Sequence, residues 1–217
     1  MAASLGDFLV CLIVPAAWAP RAFPTFGTHV AAVLPALGSC AEAGYESEYR
    51  RDMRRTRLFL RGLVLVSLVE AARQWNSAPS LVPSQFDAAG RPNAWSSRGE
   101  FVTLQVGVTL LIAALFIGIP RLLKSTSASL INLPNKSYWL APERHEETMD
   151  HLASSFEVFA CATVLLLIVL FELTSLASHG GNLATNYFLP VLVSYLVFSA
   201  GWTVSLIWRF ANVPSEG

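Results

Sequence analysis

Long apolar segments constrain this chain more than any other feature, and three are clear: Phe101–Leu123, Phe156–Ala177 and Tyr187–Trp208. A helix that crosses a bilayer needs about 20 predominantly apolar residues. A fourth segment, Leu58–Trp75, contains Arg61 and Glu70, whose side chains lie close enough to its ends to reach the headgroups. Hydrophobic residues make up 53% of the chain and charged residues 14%, whereas a soluble domain is about one quarter charged. We predict an all-α integral membrane protein, a bundle of four transmembrane helices.

Basic residues in the loops predict the orientation of this bundle. Short cytoplasmic loops carry an excess of Lys and Arg. One side has ten basic residues and the other has three, namely Arg50, Arg51, Arg54, Arg55, Arg57, Arg121, Lys124, Lys136, Arg144 and Arg209 against Arg73, Arg91 and Arg98. We therefore expect both ends of the four-span unit, residues 53–213, in the cytoplasm.

Residues 1–52 differ in composition from the rest, and we treat them as an N-terminal extension. The apolar stretch Phe8–Ala19 is too short to span a bilayer and is interrupted by Pro15. It can also be interpreted as a signal-peptide core, although the residues before it include Asp7 and no Lys or Arg. A third interpretation places the start of translation at Met53. All three remain open, and no function is inferred from this segment.

Charge and cysteine content exclude several classes of protein. Fifteen basic and fifteen acidic residues leave no net charge, so we expect no nucleic-acid partner. The three cysteines, Cys11, Cys40 and Cys161, have no paired spacing, which is untypical of disulfide frameworks and zinc sites.

The outer loop, residues 78–100, is the first segment that carries information about function. Asp87–Gly90 is predicted to form a tight turn in which Gly90 is free to take a positive φ. One interpretation is a structured cap on the helix ends. The other is a small recognition surface outside the cytoplasm, whose candidate residues are Phe86, Gly90, Pro92, Trp95 and Arg98.

An inner segment, residues 131–143, is the second segment that carries information about function. Asn132–Asn135 is predicted to form a turn, and Tyr138, Trp139 and Leu140 to anchor at the inner headgroups. Pro142 suits the first turn of a helix that continues into the third span.

Both segments resemble a known family. The run Val82–Arg98 and the following apolar helix are similar to a bacterial membrane family called domain of unknown function 1648, as is the segment Ile131–Glu143. That family resembles the N-terminal part of immunity proteins against the Sdp toxin. Gln85 stands where the family has His, and Arg98 where it has Lys. The resemblance covers residues 54–210 and implies a bacterial cytoplasmic membrane protein with no assigned reaction.

Acidic residues within the apolar segments are the other candidates. Glu172 in the third span and Glu70 in the first lie at similar depths toward the outer side, with Arg73 one turn further out. An unpaired charge at the bilayer centre costs about 2.5 kcal/mol or more. Glu172 can therefore pair with Arg73 or Arg98, or reach the headgroups with its side chain. Alternatively, Glu172 and Glu70 can flank a path for protons or cations.

We expect no metal, cofactor or catalytic residue. His145 and His151 lie six residues apart and so on different faces of a helix, whereas zinc-protease chemistry needs a spacing of four. The leading hypothesis is a non-catalytic membrane protein, immunity-like or envelope-sensing, that acts through loop 78–100. Its expected partners are the lipid bilayer and a peptide toxin or another membrane protein. The alternative is a small transporter or ion-conducting accessory subunit that uses Glu172 and Glu70.

Overall fold

The structure, a computed structural model, describes residues 35–125, 131–180, 182–183 and 185–213. The chain divides into two compact units, Met1–Arg51 and Asp52–Gly217, and all packing below lies within the second. The signal-peptide interpretation concerns residues outside the described ranges. Within those ranges the elements follow the order α1 Pro35–Ser77, β1 Leu81–Phe86, β2 Pro92–Ser97, α2 Arg98–Ser125, α3 Lys136–Trp139, α4 His145–Ala177 and α5 Thr185–Ala211.

Three of these helices are long and apolar enough to cross a membrane. They comprise Arg98–Ile119 in α2, His145–Ala177 in α4 and Asn186–Ala211 in α5. The predictions for the second, third and fourth spans are thereby confirmed, and the chain is a mostly helical, multi-pass membrane protein. Helices suit this environment because every backbone N–H and C=O that enters the hydrocarbon must bond within the segment.

The first predicted span, Leu58–Trp75, is helical and lies inside α1. The described part of α1 is not among the helices apolar enough to qualify on composition. Arg61, Glu70 and Arg73 are the reason, because three charges fall within eighteen residues.

Helix α4 lies at the centre of the unit and packs against α2, α5 and β1. Its buried residues Ala160, Cys161 and Val164 form an apolar cluster with Leu60 of α1. On the α5 side, Phe159 and Trp202 pack with ring centroids 4.5 Å apart. Apolar and aromatic contacts of this kind supply the dispersion energy that holds membrane helices together, since lipid tails cancel most of the hydrophobic drive.

Loop 78–100 contains a β-hairpin, which the all-α prediction omitted. Strands β1 and β2 are antiparallel, with Leu81 opposite Ser97 and Pro83 opposite Trp95. The register shifts on both sides of Gln85, so the pairing is irregular. Two short strands with a proline in each give only a weak alternating pattern, and proline is tolerated in such edge strands. The sequence therefore predicts a short ordered loop here and gives no clear signal for strands.

The inner segment forms a turn followed by the one-turn helix α3, and Asn135 before it takes a positive φ of 51°. Helix α4 begins at His145 rather than Pro142. The backbone N–H groups of Arg144 and His145 both donate to the carbonyl of Ala141, so a separate turn precedes the helix. From His145 the helix runs without a break to Ala177, as predicted.

Candidate functional site

The tip of the hairpin is a tight turn built on Asp87. Its carboxylate accepts hydrogen bonds from the backbone N–H groups of Ala89 and Arg91, at 2.9 and 2.8 Å. Gly90 has a φ of 76°, which confirms the predicted left-handed position. The Gly90 carbonyl accepts a hydrogen bond of 2.7 Å from the N–H of Leu183, in the connection between α4 and α5. The tip is therefore held against a second loop.

The base of the hairpin is joined to α1 and α2. Arg98 donates to the carbonyl of Ala78 at 3.0 Å, and its guanidinium lies 5.7 Å from the Trp75 ring centroid. Ser97 and Glu100 form a reciprocal capping box: the hydroxyl of Ser97 accepts from the N–H of Glu100, and the carboxylate of Glu100 accepts from the N–H of Ser97. The Ser-x-x-Glu spacing was a visible signal for this helix start, and sequence analysis missed it.

An apolar cluster lies under the hairpin. Ala78, Val82 and Phe101 are buried there. Phe101 of α2 and Phe171 of α4 meet edge to face, with centroids 5.5 Å apart. Because Val82 is fully buried, the inner face of β1 belongs to the packed end of the bundle rather than to a free loop.

The five candidate recognition residues thus differ in accessibility. Gly90 is buried, and Phe86, Pro92 and Arg98 are half-buried. Trp95 is exposed, with 51% of its surface accessible, and Leu81 is exposed to 56%. Since Pro83 pairs with Trp95 and directly opposite residues share a face, Leu81 and Trp95 lie diagonally on the same face of the hairpin. Pro83, on the same face, is fully buried, so Leu81 and Trp95 are the exposed large apolar residues of that face. We call this pair the outer face.

The three candidate charged residues in the spans come together below the hairpin. Nη2 of Arg73 donates to Oε2 of Glu172 at 2.6 Å, and Arg73 also bonds the carboxylate of Glu70 one turn earlier in α1. Of the two partners that the sequence offered for Glu172, the structure has Arg73, because the guanidinium of Arg98 is bonded at the hairpin base. One arginine is shared between two carboxylates on different helices.

A row of buried polar side chains continues from these charges toward the middle of the bundle. The hydroxyls of Ser67 and Thr109 lie 3.0 Å apart, and the Gln105 amide donates to the carbonyl of Ser67 at 3.4 Å. The Gln74 amide donates to Glu70. Sequence analysis did not single out any of these four residues. Their helical spacing places them on the faces where α1 packs against α2. The sequence of either helix does not show which faces pack together.

A second ion pair joins α1 and α4 near the inner end. Nε of Arg57 donates to Oε1 of Glu157 at 2.7 Å, and 4% of the Glu157 side chain is accessible. Sequence analysis gave Glu157 no role because it lies at the predicted membrane boundary. In the structure it is buried, and its Oε2 has no hydrogen-bond partner among the described residues.

The inner segment caps the C-terminal end of α5. Nδ2 of Asn135 donates to the carbonyl of Ala211 at 2.8 Å, and Nε1 of Trp139 to the carbonyl of Phe210 at 2.9 Å. The last four carbonyls of a helix have no partner within the helix, so these side chains supply part of what is missing. Thr148 of α4 in turn donates its hydroxyl to the carbonyl of Trp139 at 2.8 Å. The predicted membrane anchor at Trp139 therefore also joins α5 to α4.

No group of three or more His, Cys, Asp or Glu side chains able to hold a metal ion occurs in the described part of the chain. Comparison with protein-family models, curated proteins and solved structures finds no match. The sequence resemblance to a bacterial membrane family thus stays a prediction.

Proposed function

We propose that the chain is a non-catalytic, four-span protein of the bacterial cytoplasmic membrane that binds an apolar partner outside the cytoplasm through the outer face of its hairpin. The observation that carries the proposal is the exposure of Trp95 and Leu81 on a hairpin whose other side is packed and hydrogen-bonded.

The fourth span is α1. Its two ion pairs with α4, Arg57–Glu157 and Arg73–Glu172, are separated by sixteen residues on one helix and fifteen on the other. At 1.5 Å per residue they lie about 23 Å apart, close to the depth of the hydrocarbon core. Because α4 is apolar enough to cross the membrane, a parallel helix joined to it at both levels crosses with it.

The surface of α1 fits the same placement. Six large apolar side chains in the described part of α1 are exposed on the isolated chain, namely Leu58, Phe59, Leu65, Val66, Val69 and Trp75. Glu70 bonds Arg73 and Glu172 receives the same arginine, so two of the three charges that lower the mean hydropathy of α1 are satisfied within the protein. The third, Arg61, lies near the end of the span, where its side chain reaches the headgroups. An exposed apolar face with paired charges behind it is what lipid contact requires.

The hairpin is suited to binding because it is rigid. A surface that is ordered before association loses little conformational entropy on binding. Tryptophan is enriched among the residues that dominate binding energy, and here Trp95 is accessible while the turn at Gly90 and the base at Arg98 are held by hydrogen bonds.

The partner we propose is a membrane-active peptide, whose apolar face would cover Trp95 and Leu81 at the membrane surface. The proposal draws on the sequence resemblance to toxin-immunity proteins and on the position of the outer face beside the ends of the spans. The other partner that such an apolar face would bind is a protein of the cell envelope with an exposed apolar edge.

Transport through Glu70 and Glu172 receives less support. A cation path needs carboxylates that are free to exchange ions, and here both carboxylates already share the guanidinium of Arg73. The arrangement favours a structural connection between α1 and α4.

Topology is tested by single cysteines in a variant of the full chain that lacks the three native ones. We expect a cysteine at Ala89 to react with a membrane-impermeant maleimide in intact cells, and one at Asn212 to react only after permeabilisation. A third cysteine at Arg54 lies on the other side of α1 from Ala89 in the sequence and tests the fourth span, because we expect it to react only after permeabilisation. Labelling at both Arg54 and Ala89 in intact cells would contradict a span at α1. Labelling at Asn212 and not at Ala89 in intact cells would contradict the orientation.

Binding is tested by survival and membrane potential of bacteria that express the full chain and are challenged with a depolarising peptide of the Sdp type. We expect protection by the wild type, at least tenfold less protection by Trp95→Ala, and unchanged protection by Asn93→Ala, an exposed neighbour on β2. Equal protection by both variants would exclude the outer face as the binding surface. Absence of protection by a correctly inserted wild type would exclude this peptide as the partner.

A further inference from the structure

A small basic cavity lies at the other end of the bundle from the hairpin. Residues from three helices and from the turn before α4 line it: Trp139, Arg144, Glu147, Thr148, His151, Arg209 and Phe210. Its volume is about 20 Å³, which accommodates one oxygen-sized group. The cavity lies where α5 ends and α4 begins, beside the aromatic pair Tyr138 and Trp139.

The walls of this cavity are held by hydrogen bonds and ring contacts. Trp139 is bonded to the Phe210 carbonyl and accepts at its own carbonyl from Thr148. The guanidinium of Arg144 lies over the ring of Tyr138, 4.0 Å from its centroid. The side chains that line the cavity are therefore held in position before a ligand binds.

One donor at the cavity has no acceptor. Nε of Arg209 is buried and makes no hydrogen bond within the described part of the chain. A buried N–H of a charged group without a partner costs about 1–3 kcal/mol or more, so an acceptor beyond the described residues is expected. Two arginines and one glutamate on the walls leave an excess of positive charge.

We propose that this cavity binds a phosphate oxygen of an anionic phospholipid headgroup. Arginine presents paired donors that match phosphate geometry, and basic pockets between helices at the membrane surface bind anionic headgroups. The neighbouring surface of α5 supplies a place for the acyl chains, because Val204, Ile207 and Trp208 are exposed there. The lipid source is favoured over a free anion by this continuity of apolar and basic surface.

The experiment is native mass spectrometry of the full chain, released from detergent micelles with phosphatidylglycerol or phosphatidylcholine. Both headgroups carry the phosphate, but the choline cation of phosphatidylcholine is repelled by the arginines on the cavity walls, so we expect the wild type to retain phosphatidylglycerol about tenfold better. Arg209→Gln should remove the preference. Arg209→Lys keeps the charge but not the Nε donor, and should retain part of it with an unchanged melting temperature.

Arg121→Gln is the matched control, because Arg121 is an exposed arginine of α2 that donates to the carbonyl of Ile117 within its own helix. It should behave as the wild type. Equal loss in the Arg121 and Arg209 variants would assign the effect to diffuse surface charge and overturn the site. Displacement of phosphatidylglycerol by an equal concentration of inorganic phosphate would overturn the lipid assignment in favour of a free anion. No preference in the wild type would overturn both.

Discussion

Arg57 and Glu157, one hundred residues apart in the chain, form an ion pair of 2.7 Å between α1 and α4 in which the carboxylate is almost completely buried. Arg73 and Glu172 repeat the connection at the outer end of the same two helices. The two helices are thus parallel and joined at two levels. The apolar contacts of Leu60 with Ala160 and Val164 lie between these levels.

Removal of Arg57 should destabilise the protein more than removal of both partners. Arg57→Ala leaves the buried carboxylate of Glu157 without a counter-ion, and loss of one partner of a buried pair costs about 3–5 kcal/mol. Arg57 is partly exposed, so we expect a value near the lower end. Arg57→Ala with Glu157→Gln should recover at least half of the loss, measured as the free energy of unfolding in micelles. If the double variant is no more stable than the single one, the buried charge is not the cause.

The pair Arg73–Glu172 should show a measurable coupling energy. Interhelical polar pairs in membrane proteins contribute about 0.6 kcal/mol on average and up to about 1.7 kcal/mol. We expect about 1 kcal/mol from a double-mutant cycle of Arg73→Ala and Glu172→Gln, because the arginine also bonds Glu70. A parallel cycle of Arg91→Ala with Glu172→Gln should give a value near zero, because among the described residues Glu172 forms its ion pair with Arg73 and not with Arg91. Equal coupling in the two cycles would argue against a specific connection.

Gly90 should resist replacement by alanine but tolerate asparagine. At a φ of 76° an L-side chain is strained, by about 1 kcal/mol for most residues and by less for asparagine. Gly90→Ala is therefore expected to lower the melting temperature. Gly107→Ala in α2, where an added methyl meets nothing within 4 Å, is expected to leave it unchanged or raise it. A drop for Gly107→Ala as large as that for Gly90→Ala would exclude backbone strain as the explanation.

The cap on α5 should control fraying of that helix. Trp139→Phe removes the donor to the Phe210 carbonyl but keeps an aromatic ring in place. Asn135→Gly removes the donor to Ala211 and suits the positive φ at this position. A hydrogen bond of this kind contributes about 1 kcal/mol, so amide exchange near residues 209–213 should accelerate about fivefold in each variant. Tyr138→Phe, which changes a neighbouring ring without either bond, should exchange as the wild type. Unchanged rates in Trp139→Phe would show that ring packing alone holds this end.

The amino-acid sequence was sufficient to predict the features that depend on neighbouring residues. Apolar length predicted helices over Phe101–Leu123, Phe156–Ala177 and Tyr187–Trp208, because a bilayer admits few other structures for such segments. The turn from Asp87 to Gly90 was predictable because the aspartate side chain and the glycine backbone act within four residues. The Ser97–Glu100 capping box was equally local, and only its short spacing was overlooked.

Tertiary structure alone decided which of these local features meet. Arg73 rather than Arg98 reaches Glu172, because the guanidinium of Arg98 donates a hydrogen bond at the hairpin base. Its acceptor there is the carbonyl of Ala78, twenty residues earlier in the chain. Glu157 is buried because α1 lies against α4, and Trp95 is exposed because the opposite side of its hairpin packs on Phe101 and Phe171. Hydrophobic periodicity and segment length determine the secondary structure of each segment, because they involve only residues that are close together in the chain. Which helix faces pack against each other depends on all the helices at once, and it therefore cannot be predicted from any single segment.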